Sequence, residues 1–421
     1  MQRLSSRRTS GKKPLAFVLH SLFGLKLSLL VLFVSFTGTI AVVSDEIEWL
    51  ASAKFRASAT DRRASWQTQY EAIRVAFPIY QTTYITAGEE PYLATRILAT
   101  SPSGETRIVY VDPATGKVNG DSGFITFRSF VRALHYLLFT PDDWGFYMVS
   151  GLGFLLLGSM LTGLFVYKKF WRGFFSMPRT DRGPRVFWGN LHKLLALWSL
   201  WFVVIMALTS IWYFGERILY RFDIDFEGHS TALNLHELPS VGPLPPARRS
   251  LDELVARAQE ALPGLDVKRI VLPSANEAVY IEGQASAWFV RDRTNSVAIN
   301  PYTGAVLSVR RAEDMPIIER WVHTADLLHF GDFGGLWFKL VWGLVRAHYV
   351  RLGRQWCLGV REANCQGAVK DAPRNFNRGK EDSRVGHVAV FGFLGTLEMA
   401  QYRLDYCSAV LVFLSLVEAR L

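Results

Sequence analysis

Three stretches of the chain, at about 17–43, 145–167 and 190–214, are long and apolar enough to cross a bilayer. Nothing else in the sequence narrows the fold so far. Hydrocarbon offers no partner to a backbone N–H or C=O, so a spanning segment must be a helix or part of a closed barrel. The runs are far longer than barrel strands, which leaves helices. A fourth stretch begins near Gly335 and falters after about ten residues. Half of the 421 residues are hydrophobic and 20% are charged, so polar and apolar character must alternate in blocks.

Arg3, Arg7, Arg8, Lys12 and Lys13 precede the first span, and Lys168, Lys169, Arg172, Arg179, Arg182, Arg185 and Lys193 lie around the connection between the second and third. The positive-inside rule puts both segments in the cytoplasm. The first span is too long for the apolar core of a signal peptide, and "GTIAVVSDEIEWL" is a poor cleavage site, so it reads as an anchor. The net charge of +10 sits largely in these topogenic segments and requires no nucleic acid. The resulting plan starts with a cytoplasmic basic terminus 1–16, a span 17–43 and an external module 45–133. A Leu-His segment with the second span (134–167), a cytoplasmic loop (168–189) and the third span (190–214) follow. A second external module (215–327), a Leu-His segment opening the fourth span (328–345) and a tail (346–421) complete it. The first cysteine is Cys357, so neither module contains a disulfide or a thiolate metal site.

The plan repeats itself. "LHSLFGLKLSLLVLFVSFTG" (19–38) aligns without gaps on "LHKLLALWSLWFVVIMALTS" (191–210), pairing His20 with His192 and Thr37 with Thr209. "VDPATGKV" (111–118) pairs with "INPYTGAV" (299–306), and "LHYLLF" (134–139) with "LHFGDF" (328–333), which sets His135 on His329. Three matches in one order indicate a parallel internal duplication about an axis along the membrane normal. In each module an amphipathic helix is expected, such as "SLDELVARAQEALPG" (250–264), followed by strands such as "RIVYVD" (107–112) and "AWFVRD" (287–292). The Pro-x-Thr-Gly turn suits a tight hairpin, since Pro fixes φ and Gly tolerates a positive one.

The paired hairpins resemble the PepSY module, and their combination with Leu-His-headed spans is similar to the PepSY-associated transmembrane family. The resemblance covers about residues 15–344. It implies an α-helical transmembrane bundle, three clear spans plus a defective fourth, carrying two periplasmic α+β PepSY-like modules. It also implies a bacterial inner-membrane protein of iron uptake, such as a ferrisiderophore reductase, with a separate cytoplasmic or membrane electron donor and a ferric siderophore or its periplasmic carrier as partners.

In this plan His20 and His192 head the two outward helices, while His135 and His329 precede the two inward ones. A twofold axis brings each pair face to face. Two neutral imidazoles on facing helices are a natural axial pair for haem b, and the lack of Cys-x-x-Cys-His excludes covalent attachment. A rise of about 1.5 Å per residue separates the two layers by roughly 30 Å. Lys26 or Lys193 would offset haem propionates at the cytoplasmic face, and His323 is an alternate to His329. The rival reading for each histidine is an interfacial, solvated side chain. His229 and His236 read as solvated loop residues.

No nucleotide-binding or zincin motif is present, so electrons would have to come from another protein. The alternatives are a non-enzymatic protein that binds peptides or restrains a protease, and an accessory subunit of an iron or siderophore transporter. From Gly343 the tail reads "GLVRAHYVRLGRQWCLGV", where the repeat calls for an apolar helix. Reading one base later turns every CGN arginine codon into Val, Ala, Gly, Asp or Glu, so a shifted reading frame is the expected origin of the tail.

Overall fold

The computed structural model describes residues 14–25, 28–60, 62–140, 143–226, 248–272 and 277–344. The tail 346–421, His229 and His236, and the side chain of Lys26 lie outside the described residues. The first apolar stretch forms α1 (Leu15–Leu25) and α2 (Ser28–Val42), and α3 (Ser44–Ala51) follows at a sharp bend. Next come α4 (Trp66–Ala76), strands β1 (Gln81–Thr86), β2 (Thr95–Thr100), β3 (Thr106–Val111) and β4 (Val118–Gly123), α5 (Phe127–Leu137) and α6 (Trp144–Val166). The second half runs through α7 (Pro184–Trp198), α8 (Leu200–Tyr220), α9 (Leu251–Ala261), β5 (Asp266–Val271), β6 (Val279–Gln284), β7 (Asn295–Ile299), β8 (Val306–Arg310) and α10 (Ile317–Phe330). A further helix covers 335–344.

Among the described residues α6 and α8 are each long and apolar enough to cross a membrane. Leu30–Val42 with Ser44–Ala51, bent by 56°, makes a third if taken as one span. Along α6 the side chains of Met148, Phe154, Leu161 and Phe165 are exposed, as lipid-facing residues must be. The third apolar stretch is not one helix. Ser199 interrupts it, its hydroxyl donating to the Leu195 carbonyl four residues back, a local bond that competes with the helical ladder.

Each half of the chain has the same element order, a helix, four antiparallel strands and a helix. The two strand sets, expected as separate modules, form one eight-stranded sheet in the order β4-β3-β2-β1-β5-β6-β7-β8. The seam is β1 on β5, where Tyr84 faces Val271 and Ile85 faces Ile270. Alternation puts Ile85, Ile97, Val109, Ile270, Ile281 and Val297 on one face, all fully buried, where α4 and α9 cover them. Each such side chain contributes about 1.5–3 kcal/mol by leaving water. The seam therefore shares a single core between the halves.

α9 forms as expected. Ser250 caps it by accepting from the Glu253 N–H, and Leu251, Leu254, Val255 and Ala258 make its buried stripe. The two Pro-x-Thr-Gly turns are also alike. Gly116 and Gly304 have φ of +73° and +75°, and the side chains of Asp112 and Asn300 accept backbone N–H groups within the turn. One expected strand is absent. "AWFVRD" is irregular, because Phe289 adopts φ +64° and Ala287 and Val290, three apart, turn inward together against Ala312. A strand needs inward residues two apart.

By internal contacts the chain separates into two units. One holds Met1–Phe36, Phe154–Val204 and Leu344–Leu421, the other Thr37–Gly153 and Ile205–Gly343. Each contains one of the expected histidine pairs.

Candidate functional site

In the first unit α1 presents His20 and α7 presents His192. Pro184 starts α7 at the position where its missing N–H costs nothing. The two imidazole centroids are 6.4 Å apart, with the rings inclined at 58°. His20 Nδ1 lies 3.0 Å from the Ser159 carbonyl oxygen. A carbonyl can only accept, so Nδ1 carries the proton and Nε2 keeps its lone pair. Thr162, whose hydroxyl lies 3.5 Å from the same nitrogen, stands behind it. Gly163 admits the ring, since a Cβ there would stand 3.2 Å from His20 Cε1. His192 is exposed, and Lys193 beside it lies over the ring of Tyr167 at 5.5 Å.

In the second unit α5 presents His135 and α10 presents His329. Thr126 and Ser129 cap α5 reciprocally, and the first-turn N–H of Arg128 donates to the buried carboxylate of Glu48 at 2.8 Å. α10 stops at Gly331, whose φ of +80° suits glycine and where a Cβ would strike Trp342 at 2.7 Å. The two imidazole centroids are 6.5 Å apart, inclined at 46°. Thr209 Oγ1 is 2.9 Å from His329 Nδ1 and also donates to the Ile205 carbonyl at 2.8 Å. With its proton so used, the hydroxyl accepts from Nδ1–H, and His329 Nε2 is left as the lone-pair nitrogen. Thr37 Oγ1 meets His135 Nδ1 at 3.2 Å. A Cβ on Gly38 would stand 2.7 Å from His135 Cε1, so this ring packs directly on the α2 backbone.

The spacing fits two imidazoles that share one metal. A metal–imidazole bond is about 2 Å and the ligating nitrogen lies about 1 Å from the ring centre, so two imidazoles on one metal have centroids about 6 Å apart. Both pairs meet that value. Ligating histidines also characteristically give their second ring nitrogen to a carbonyl or another fixed acceptor, as His20 and His329 do. The donor set, neutral imidazole on facing helices, suits iron in a porphyrin.

Around the second pair the charges are organised. Tyr213 sets its ring edge against His329 at 5.2 Å and donates its hydroxyl to Asp326 at 2.7 Å. Arg96 and Arg128 hold Asp45 at 2.9 and 3.0 Å, and Arg128 and Lys339 hold Glu89 at 3.1 and 3.2 Å. Burial works against charge on Glu89, but Arg128, Lys339 and Arg96 outweigh it and hold its carboxyl far below the usual carboxylate range. Asp332, 3.4 Å from Lys339, is pushed up by burial.

All four expected histidines are thus brought together in the two expected pairs. His323, the alternate, is buried in α10, and the ring that meets His135 is that of His329. Nothing in the sequence singles out Ser159, Thr162, Tyr213 or Asp326. Thr37 and Thr209 stand at aligned positions of the two "LH" stretches, the signal that could have found them.

A family model described as "PepSY-associated TM region" matches residues 17–348. No curated protein matches the chain.

Proposed function

The chain belongs to the PepSY-associated TM region family, a family of membrane proteins, and from that premise we propose that it is an inner-membrane haem protein that carries electrons to ferric iron in the periplasm. The observation that carries the reading is the spacing of the two histidine pairs, 6.4 and 6.5 Å between centroids, with Nδ1 of His20 and of His329 engaged and their Nε2 left to bind metal. We read the repeated element order as an internal duplication that supplies one histidine of each pair from each copy. His20 and His192 would hold an inner haem b, and His135 and His329 an outer one. When bound, such a haem supplies a one-electron couple at its iron.

The chain's own residues set the conditions for that couple. Held by two neutral imidazoles each, such haems would suit electron transfer rather than oxygen chemistry. The Ser159 carbonyl and Thr209 hydroxyl fix the ring orientation and raise ligand basicity. The sheet would stand on the periplasmic side, over the outer pair. The substrate would be a ferric siderophore, free or on its carrier, because iron(III) is held by hard oxygen donors and one added electron loosens that hold. The reductant would be a cytoplasmic or membrane electron donor.

The test is a reduced-minus-oxidised absorbance spectrum of the detergent-purified protein with a pyridine haemochrome count, followed by addition of a ferric siderophore to the reduced form. The expected result is two b-haems per chain, one in His192→Ala, and reoxidation by the ferric complex. Absence of haem would overturn the reading, and haem that the complex fails to reoxidise would remove the reductase part of it.

A further inference from the structure

One turn before each histidine of the second pair stands a charged residue, Arg132 three residues before His135 and Asp326 three residues before His329. At that spacing each shares its histidine's side of the helix. The two positions are equivalent in the alignment of the Leu-His segments, yet their charges are opposite. Asp326 is committed. Tyr213 donates to one of its oxygens at 2.7 Å, and Arg291 Nε lies 3.3 Å from the other.

Arg132 makes no such commitment. Among the described residues no carboxylate lies within ion-pair distance of its guanidinium, which rests instead over the ring of Phe330, 4.9 Å from the centroid. Phe330 directly follows His329, so this cation leaves the helix of one histidine and lies against the neighbour of the other. Nearby Arg128 and Lys339 are already occupied by Asp45, Glu89 and Asp332. Burial, and then Arg128 beside it, press the Arg132 pKa below its ordinary value, while Glu89, Asp45 and Asp332 attract it only from further off. A half-buried guanidinium without a paired anion is costly, and its planar fork matches a carboxylate.

We infer that Arg132 is the anion-binding residue of the His135–His329 site and takes a carboxylate of the porphyrin that those histidines hold. The inference rests on the haem reading above and deepens it. Because Asp326 occupies the equivalent position, only one side of the pair attracts an anion, and the propionate edge of the cofactor acquires a single orientation. A cation at that edge also disfavours the ferric state relative to the ferrous, since the ferric centre carries one more positive charge.

The experiment is a redox titration of the full-length protein, its Arg132→Gln and Arg132→Lys variants, each loaded either with haem b or with haem whose propionates are methyl esters. With haem b, Arg132→Gln keeps the haem count and moves one of the two midpoint potentials downward. Arg132→Lys, which keeps the charge and loses the fork, moves the same midpoint less, and it carries the test if the Gln variant does not fold. With haem b, Arg132→Gln also gives up one of its haems to apomyoglobin several-fold faster than the parent, whereas with the ester, which offers Arg132 no carboxylate, parent and variant lose it at the same rate. Unmoved midpoints, or a faster loss that persists with the ester, would overturn the inference while leaving the haem reading intact. A parent protein without haem overturns the haem reading and this inference with it, so haem content distinguishes the two failures.

Discussion

The His20–His192 pair and the His135–His329 pair share a ring spacing and differ in what holds the rings. In the first, His20 leans on a backbone carbonyl, and His192 is exposed with no hydrogen bond among the described residues beyond its ring contact with His20. In the second, both Nδ1 atoms meet threonine hydroxyls from equivalent helix positions, and the rings are half-buried. A carbonyl fixes the tautomer of its partner whatever the side chains do. A hydroxyl fixes it only while its own proton is engaged elsewhere, as Thr209 shows through Ile205. The first site is therefore anchored by backbone on one side only, whereas the second is held on both sides by groups that mutation can change.

The largest expected effect comes from the four histidines proposed to hold haem. His135→Ala or His329→Ala should remove one haem of two, His20→Ala or His192→Ala the other, and a variant lacking one histidine of each pair should bind none, all read by haemochrome count. Steric probes come next. Gly38→Ala drives a methyl to 2.7 Å from His135, against 3.2 Å from His20 for Gly163→Ala. Overpacking of the former kind costs about 1–3 kcal/mol, so haem retention at the second pair should fall about tenfold or more, with a smaller loss at the first.

Removing a hydroxyl separates the sites more finely. Thr209→Val should weaken haem binding at the second pair by about tenfold. Thr162→Val should change the first pair less, because the Ser159 carbonyl remains. Equal effects in competition with apomyoglobin would mean that the two pairs are held alike.

The smallest effect is a pH dependence confined to the second unit. Glu89 is charged in the folded chain below the value near 4.3 at which a free glutamate takes up its proton. Its contribution to stability is thus complete above about pH 5 and drains as pH falls toward its depressed folded value. Melting followed from pH 6 down to pH 3 should show this acid loss, and Glu89→Gln should flatten it.

Much of this was legible in the sequence, for a physical reason. The Leu-His segments recur in one order along the chain, so "LH" at 19–20, 191–192, 134–135 and 328–329 marks the residues that meet. Helix α9 and the two glycine turns were equally readable, since caps and positive φ act within a few residues. The β1–β5 seam was not, because it pairs Tyr84 with Val271 across the whole of the two spans between them, and strand edges carry no address. The run "AWFVRD" misled because its apolar residues suit a strand in composition, while the backbone at Phe289 turns. Arg132 and Asp326 carry no mark in the sequence, because only the meeting of α5 and α10 brings their histidines together.

The most direct test of the central claim, that each pair grips one iron from both sides, is low-temperature electron paramagnetic resonance of the oxidised, full-length protein. Two low-spin ferric haem signals and no high-spin signal are expected, with His135→Ala abolishing one and His192→Ala the other. A high-spin signal in the parent, or no ferric haem signal at all, would contradict it.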